Sequence, residues 1–302
     1  MPLKKIGAIA RKEIDLPWLK MPYAETLVGT VPVRFVQTNR LSEKRIDTLF
    51  TKEPTTIPWL ESMQPGDVLV DIGANVGMYS IYAAKVAGAR VYAFEPEALN
   101  YAELNKNIFV NGLHGQVTAY CLAMSNENRV DRLLLGGFAE GLSHHDFGEN
   151  TWTQDKDFGA IKTAKDERLE QGCVSFSLDS LVAGGSIPIP KHIKIDVDGI
   201  ESRVVDGCWH TLSGSGVESI LIEIDHRIPS SVAIIERMVA AGWKYSMDQL
   251  RTNRKVIFTV EQIERMRSKG EGGFNYIFFR DEKYATLFRD FLKDYVPPMA
   301  KK

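Results

Sequence analysis

Short apolar runs alternate with helix-like stretches along most of the chain, and this alternation predicts an α/β protein. Residues 68–72 and 91–94 are mostly apolar and predict buried strands, and the Ala-rich residues 78–87 between them predict a helix. Because strands that alternate with helices usually pair in parallel, we expect a mostly parallel sheet with helices on both faces. Similar runs predict further strands at 116–122, 193–197, 217–224, 243–245 and 275–280, and helices at 98–111, 232–241 and 284–292.

The beginning of the chain departs from this alternation. Residues 31–35 alternate between apolar and other positions and predict a short strand. Because proline cannot donate a ladder hydrogen bond, Pro32 is expected to confine that strand to a sheet edge. The apolar residues of 42–63 have helical spacing, and a break at residues 52–56 divides them into two predicted helices. The sequence therefore predicts an N-terminal extension and cap over residues 1–63, followed by a main domain over residues 64–296.

A glycine-punctuated turn, DIGANVG at residues 71–77, joins the first core strand to its helix. Gly73 and Gly77 would let the backbone approach a ligand where a Cβ would clash, and the following helix offers free N–H groups to a carboxylate. Glu95 ends the second strand about 20 residues beyond the turn, where an acid can accept ribose hydroxyls. Asn75 occupies the second glycine position of the dinucleotide pattern G-x-G-x-x-G, so that pattern is not met.

A second informative stretch, KHIKIDVDGIE, covers residues 191–201. A strand inside a parallel sheet is expected to be apolar on both faces, so charged residues on one face need a reason. At the carboxyl end of such a strand the reason is usually a binding crevice; an exposed edge strand is the alternative. The charged positions in question are Lys194, Asp196 and Asp198.

Weaker candidates lie outside these two stretches. Glu53 precedes the first core strand and either approaches the ligand side or belongs to a helix cap. Ser125 follows the third strand, either near a ligand or in a plain turn. The irregular residues 136–172 predict a substrate-selecting insertion, because long loops inside compact domains are usually functional lids or disordered segments. His144 and His145 within it are either general bases near neutral pH or solvated loop residues.

Composition narrows the class of protein. The 302 residues are 44% hydrophobic and 25% charged, as in ordinary globular proteins, and the net charge of −2 provides no overall basic field for nucleic acid. The three cysteines are widely spaced without C-x-x-C, which argues against a zinc site or a disulfide framework and predicts a reducing, cytoplasmic location. No apolar stretch approaches the ~20 residues that span a bilayer, and residues 1–13 lack the apolar core of a signal peptide.

Together these motifs resemble those of FkbM-type methyltransferases, which belong to the class I superfamily and use S-adenosylmethionine (SAM). SAM carries an aminocarboxylate, a ribose and an adenine, which suit the turn, the acid and an apolar slot. Asp198 departs from the family, which commonly has glutamate there. The matching pieces are Glu53-Pro54, DIGANVG at 71–77, Phe94-Glu95-Pro96, Ser177-Leu178-Asp179, KIDVDG at 194–199 and the strand around Glu223.

The resemblance implies a Rossmann-like class I fold with a seven-stranded sheet. It also implies O-methylation, of a hydroxyl on a sugar or glycan or on a natural-product alcohol. From the net charge, no nucleic-acid partner is expected. A homodimer through the N-terminal extension is an open possibility at this stage. The residues expected to bind SAM are Glu53, Asp71, Gly73, Asn75, Gly77, Glu95, Ser125 and Asp196.

The expected reaction is an in-line displacement at the sulfonium methyl, in which the acceptor hydroxyl must lose its proton. Asp196 is the first candidate for the base, and Lys194 would set its charge. A metal held by Asp196 and Glu223 could instead lower the pKa of the hydroxyl, but no ligand spacing demands one and no metal is predicted. The alternative bases are His226, His144 and His145.

Three other functions stay open from the sequence. The chain could be an oxidoreductase that uses a dinucleotide, although Asn75 in the glycine pattern argues against it. It could be an N-methyltransferase that acts on a small molecule or peptide. It could also bind SAM without turnover, as an interaction module; the charges at residues 194–198 argue for chemistry instead.

Overall fold

The structure, a computed structural model, describes residues 4–17, 19–148 and 169–298. Of the helices in these ranges, none is both long and apolar enough to cross a bilayer. The strands are β1 Ala10–Leu16, β2 Leu19–Val28, β3 Val31–Val36, β4 Val68–Ile72, β5 Arg90–Phe94, β6 Val117–Tyr120, β7 Ala123–Met124, β8 Arg129–Leu135, β9 Asp146–Phe147, β10 Leu169–Phe176, β11 His192–Ile195, β12 Ser219–Asp225 and β13 Gly273–Phe279. The helices are α1 Arg40–Thr48, α2 Thr56–Glu61, α3 Met78–Tyr82 with a π-type continuation Ala83–Ala87, α4 Ala98–Asn111, α5 Leu178–Ala183, α6 Glu201–Gly207, α7 Trp209–Ser213, α8 Pro229–Ala240, α9 Met247–Arg251, α10 Val260–Ser268 and α11 Lys283–Asp294.

The central sheet has the strand order β13-β12-β11-β4-β5-β6 among the described residues. All neighbouring pairs are parallel except β12–β13, which confirms the predicted mostly parallel α/β sheet. The expected seventh strand, at residues 243–245, is instead a single antiparallel bridge between Lys244 and Phe279. The pairing stops there because Ser246 caps α9, so the chain turns into a helix immediately.

Two buried clusters cover the two faces of this sheet. One contains Leu69 with Ile81 of α3, Leu104 of α4 and residues of the N-terminal strands. The other contains Val70 with residues of α5, α6, α8 and α10. Leu69 and Val70 belong to different clusters because successive side chains of a strand point to opposite faces. Apolar residues on both faces explain why the sheet carries helices on both sides, as the sequence predicted.

The N-terminal strands form a separate antiparallel sheet of order β1-β2-β3. β3, which contains Pro32, lies at its edge, which confirms that expectation. The free edge of β3 is covered by α4, because the backbone N–H groups of Arg34 and Val36 donate to the side-chain oxygens of Asn111 and Asn107 at 2.9 and 2.7 Å. Buried asparagines on α4 therefore fasten the N-terminal layer to the main domain.

A third sheet, of order β7-β10-β8-β9, was not expected from the sequence. The prediction of an irregular stretch at 136–172 is wrong at β9 and at the start of β10, which pair with β8. The short length of β9 and the polar residues of β10 hide the alternation that strands usually show. Residues 149–168 of the predicted insertion lie outside the described part of the chain.

Candidate functional site

The glycine turn after β4 lies directly against the end of β11. Gly73 and Gly77 have positive φ angles of 78° and 83°. A Cβ at Gly73 would lie 1.9 Å from the carbonyl oxygen of Asp196, and one at Gly77 would lie 2.3 Å from Leu104 of α4. The sequence analysis expected these glycines to make room for a ligand. The structure shows that they let the turn pack against protein, which brings it beside Asp196; their role toward a ligand stays a prediction.

Glu95, at the end of β5, touches this turn. One carboxylate oxygen accepts the backbone N–H of Asn75 at 2.8 Å, and the other accepts the N–H of Glu97 at 2.9 Å. The residue is only 4% exposed. Burial raises the pKa of Glu95 to about 7, and the two backbone hydrogen bonds oppose that rise. The carboxyl group therefore changes its charge near neutral pH, and each oxygen keeps a lone pair for a further donor.

Lys194 forms a buried ion cluster with acids of two strands. In the sheet register it lies opposite Asp71 of β4. Its ammonium nitrogen is 3.4 Å from Asp71 and 3.1 Å from Asp196, and its side chain is 2% exposed. Burial alone would lower the pKa of Lys194, but the charges of Asp196 and Asp71 raise it above its usual value. Asp71 also accepts the Ser80 hydroxyl at 2.6 Å, so this predicted SAM ligand lies in the core, where it anchors Lys194.

The pKa values of Asp196 and Glu223, near the ends of β11 and β12, are shifted in opposite directions. Burial would raise the pKa of Asp196, but Lys194 and Lys52, together with a hydrogen bond to Glu223, hold it below its usual value. Burial and the neighbouring charge of Asp196 raise the pKa of Glu223 well above its usual value. A proton shared by the pair is therefore favoured on Glu223, which then donates a hydrogen bond to Asp196. Glu201 at the start of α6 has its pKa raised to about 7 by burial.

Lys194 and Asp196 meet the glycine turn in an open cleft, which Glu95, Glu201 and Glu223 do not line. One wall comes from α1 and the loop after it, and the other from the glycine turn and the start of α3. Lys52 and Glu53 in the first wall form an ion pair at 3.0 Å, and Glu53 is hydrogen-bonded to the Tyr79 hydroxyl of the opposite wall. The floor is formed by Lys194 and Asp196. We call this space between the N-terminal cap and the central sheet the cleft.

Among the charged and aromatic residues that line the cleft, three were not predicted from the sequence: Arg45, Lys52 and Tyr79. Tyr79 had a usable signal, because the second residue of a helix that follows a ligand-binding turn lies beside that turn. Arg45 and Lys52 had none, since their position depends on how the N-terminal cap packs against the main domain.

A loop of residues 140–144, inside the predicted insertion, covers the glycine turn. The carbonyl oxygen of Leu142 accepts the side-chain amides of Asn75 and Asn100 at 2.7 and 3.0 Å. Asn100 also accepts the N–H of Gly141 at 2.7 Å, and its side chain is fully buried. Asn100 thus holds the loop at two points, the N–H of Gly141 and the carbonyl oxygen of Leu142. We name this segment the 140–144 loop.

The other end of the 140–144 loop is tied to the end of β11. The N–H of His144 donates to a carboxylate oxygen of Asp198 at 2.6 Å, and the imidazole lies 3.6 Å from the other oxygen. His144 does not line the cleft. Asp198, the position that departs from the family pattern, therefore contacts the loop, and its shorter side chain suits a backbone partner. The catalytic role of His144 stays a prediction.

Replacing Asn100 by alanine is expected to loosen the 140–144 loop. The change leaves the Gly141 N–H without its partner, and an unpaired buried donor costs about 1–3 kcal/mol. Hydrogen exchange in a peptide covering the loop should become about tenfold faster or more, because that cost falls on local opening. Asn105→Ala is the matched control, since Asn105 lies on the same helix but bonds only to the Tyr101 carbonyl. Unchanged exchange in Asn100→Ala would show that the contact does not hold the loop.

Other predicted site residues lie elsewhere. His226 is bonded to the Tyr276 hydroxyl at 3.0 Å and packs against Phe274, and burial lowers its pKa. Ser125 is buried and lies 3.2 Å from the side-chain oxygen of Asn126. Neither residue lines the cleft. Burial also lowers the pKa of His145, whose Nδ1 accepts the Gly136 N–H at 3.3 Å. In residues 4–17, 19–148 and 169–298, no group of three or more His, Cys, Asp or Glu is arranged to hold a metal ion.

The chain was compared with known protein families and structures. One curated relative, the 31-O-demethyl-FK506 methyltransferase FkbM of Streptomyces tacrolimicus, is 30% identical over 161 residues, which are 48% of this chain and 60% of that protein. The hexuronic acid methyltransferase AglP of Haloferax volcanii is 27% identical over 165 residues, which are 55% of this chain and 59% of that protein. The chain thus spans about three-fifths of the length of these two curated relatives.

Among solved structures, a methyltransferase FkbM from Methylobacillus flagellatus KT is 12% identical with a TM-score of 0.46, over 76% of this chain and 48% of that one. The methyltransferase FkbM domain matches residues 71–248, more than half of the 302 residues. That match runs from Asp71 in the glycine turn through the Lys194–Asp196 strand to the start of α9. The chain therefore belongs to the FkbM family of methyltransferases.

Proposed function

We propose that the chain transfers the methyl group of SAM to a hydroxyl of a sugar, a glycan or another alcohol. The observation that carries this proposal is the meeting of the glycine turn with the Lys194–Asp196 pair in one cleft. The turn and Glu95 offer groups that suit a nucleoside with an aminocarboxylate. The pair offers a carboxylate held in its ionised form. A binding site and a proton acceptor thus lie side by side.

The residues present fit SAM. Glu95 would accept ribose hydroxyls through the lone pairs that its backbone donors leave free. Glu53 and Asp196 place two carboxylates in the cleft, each paired with a lysine, so a sulfonium is stabilised where it lies closer to a carboxylate than to the lysine. When bound, SAM supplies an electrophilic methyl, and its sulfur leaves as the neutral thioether of S-adenosylhomocysteine (SAH) when the acceptor oxygen bonds to that carbon.

Asp196 would take the proton of the acceptor hydroxyl. Its lowered pKa makes it a weak base, but a hydroxyl becomes strongly acidic as its oxygen bonds to carbon, so a weak base suffices. Lys194 keeps Asp196 ionised, and the Glu223 hydrogen bond orients it. Holding the two reacting atoms in line at ~3–3.5 Å can contribute ~7–11 kcal/mol. Positioning is therefore expected to contribute more than base strength.

The class of acceptor is supported by the relatives. One is named for a 31-O-demethyl acceptor and the other for a hexuronic acid. Both names point to oxygen-rich small molecules or sugars. In this chain most of the side chains that line the cleft carry a polar or charged group, and the hydrogen bonds that sugar hydroxyls offer would match those groups.

The proposal is tested by calorimetry and by a transfer assay. We expect SAM and SAH to bind and NAD not to bind, and radiolabelled methyl to appear on members of a panel of sugars and alcohols. Binding of NAD alone would favour the oxidoreductase alternative. Transfer only to amines would favour an N-methyltransferase. Binding of SAH without transfer to any acceptor would favour a binding module.

SAH affinity is expected to rise with pH around neutrality. The pKa of Glu95 is about 7 in the free protein, and only its carboxylate form accepts two ribose hydroxyls. Between pH 6 and 8 the ionised fraction rises about tenfold, so the association constant should rise by up to about tenfold. Titration calorimetry at several pH values measures this. In Glu95→Gln the affinity should be weaker and nearly independent of pH; a wild-type affinity that stays flat would contradict the assignment of Glu95.

A further inference from the structure

Within the part of the chain that the structure describes, two of the three cations that line the cleft are paired with a carboxylate. Lys52 is paired with Glu53 at 3.0 Å, and Lys194 is paired with Asp196 at 3.1 Å. Arg45 has no carboxylate within ion-pair distance among the described residues. Its Nε donates to the carbonyl of Gly141 at 2.7 Å, and its Nη2 donates to the Ser143 hydroxyl at 2.7 Å. Both of these partners are neutral, so the positive charge of the guanidinium is not compensated.

The remaining donors of Arg45 are suited to a carboxylate. An arginine has five N–H groups, and the two bonds to the 140–144 loop use two of them. Those bonds also fix the plane of the guanidinium, so the side chain would lose little further conformational entropy when a ligand binds. A planar fork held in this way matches the two oxygens of a carboxylate. Because Arg45 is half-buried, a partner of opposite charge is favoured more than it would be in open water.

The rest of the cleft restricts where such an anion can lie. Lys52 and Lys194 line the same space, but they are already paired with Glu53 and Asp196, so they attract a further carboxylate less than Arg45 does. Arg45 is contributed by α1 and provides a cation that no acid of the described residues neutralises. An anionic ligand group is therefore expected to lie beside Arg45, on the wall of the cleft that α1 forms.

We propose that Arg45 binds a carboxylate of a ligand in the cleft, either the aminocarboxylate of SAM or the carboxylate of an acidic sugar acceptor. This inference rests on the proposed function, since both ligands belong to methyl transfer. The two sources offer Arg45 the same chemistry. The two sources are distinguished with pairs of ligands, in each of which one member has the carboxylate and the other lacks it.

The test compares wild type and Arg45→Gln by titration calorimetry with two ligand pairs. The first pair is SAH and its decarboxylated form, S-adenosyl-3-thiopropylamine. The second is methyl glucuronide and methyl glucoside, each titrated into protein saturated with SAH. If SAM is the source, Arg45→Gln weakens SAH by about tenfold to a hundredfold and leaves the decarboxylated form nearly unchanged. If the acceptor is the source, the same selective loss appears for the glucuronide but not for the glucoside.

Ser143→Ala is the matched control, because it removes one contact of the 140–144 loop but keeps the cation. If Arg45 only holds the loop, Arg45→Gln weakens both members of a pair equally and Ser143→Ala reproduces the effect, which overturns the inference. Unchanged affinity for both carboxylate ligands overturns it too. If wild type binds no glucuronide, the SAH pair alone decides. A wild type that fails to bind SAH rejects the proposed function itself, whatever Arg45→Gln does.

Discussion

Replacing Asp196 by asparagine is expected to lower kcat by about 10²- to 10⁴-fold, the usual contribution of a positioned general base. The amide keeps the shape of the carboxylate but cannot take the acceptor proton. It also loses the ion pair with Lys194, which now holds Asp196 at 3.1 Å. SAH affinity should change little, because the nucleoside is expected to contact Glu95 and the glycine turn. The measurements are single-turnover methyl transfer and SAH titration on the same preparation.

The control for this prediction is Asp225→Asn. Asp225 also ends the neighbouring strand β12, but its carboxylate accepts hydrogen bonds from Arg227 and it does not line the cleft. Its replacement should leave kcat within a factor of about two, since surface changes of this kind have small effects. An Asp196→Asn variant that keeps full activity would remove Asp196 from the mechanism.

Replacing Lys194 by methionine is expected to lower the free energy of unfolding by about 3–5 kcal/mol, the usual cost of removing one partner of a buried ion pair. Methionine has a similar length, so the main loss is charge. Asp71 is 1% exposed and would keep an uncompensated carboxylate, whereas the Asp196 side chain is 23% exposed and would be partly hydrated. Most of the loss should therefore come from Asp71. Chemical denaturation of both proteins at neutral pH measures it.

The double variant Lys194→Met with Asp71→Asn separates charge from packing. Asparagine removes the buried charge at 71 and keeps a group that can still bond to the Ser80 hydroxyl. We therefore expect the double variant to be more stable than Lys194→Met alone, a coupling that double-mutant cycles detect. If the losses simply add, or if Lys194→Met costs less than about 1 kcal/mol, the ion cluster does not stabilise the fold as described.

Sequence reasoning succeeded where the signal is local. The apolar run of β4, the glycine turn and Glu95 lie within one β–α–β unit, and the pairing of β4 with β5 follows directly from it. The charged positions on β11 could also be recognised, because a central strand with Lys194 in it requires a partner. Asp71 is that partner, in the next strand of the sheet.

It failed where the contacts are remote along the chain. His144 and Asp198 are 54 residues apart, and Arg45 and Ser143 are 98 apart. No periodicity or motif marks such a pair, because packing of the cap and of the small third sheet creates it. The missing seventh strand has a local cause, the early start of α9 at Met247. The packing role of the glycines was not predicted either: the space beside Gly73 is filled by the carbonyl of Asp196.

A crystal structure of the chain with SAH tests the central claim most directly. The account predicts the nucleoside over the glycine turn, both ribose hydroxyls within hydrogen-bond distance of Glu95, and the sulfur facing the side of the cleft that contains Asp196. A nucleoside bound outside the cleft, or a ribose that makes no contact with Glu95, would contradict it.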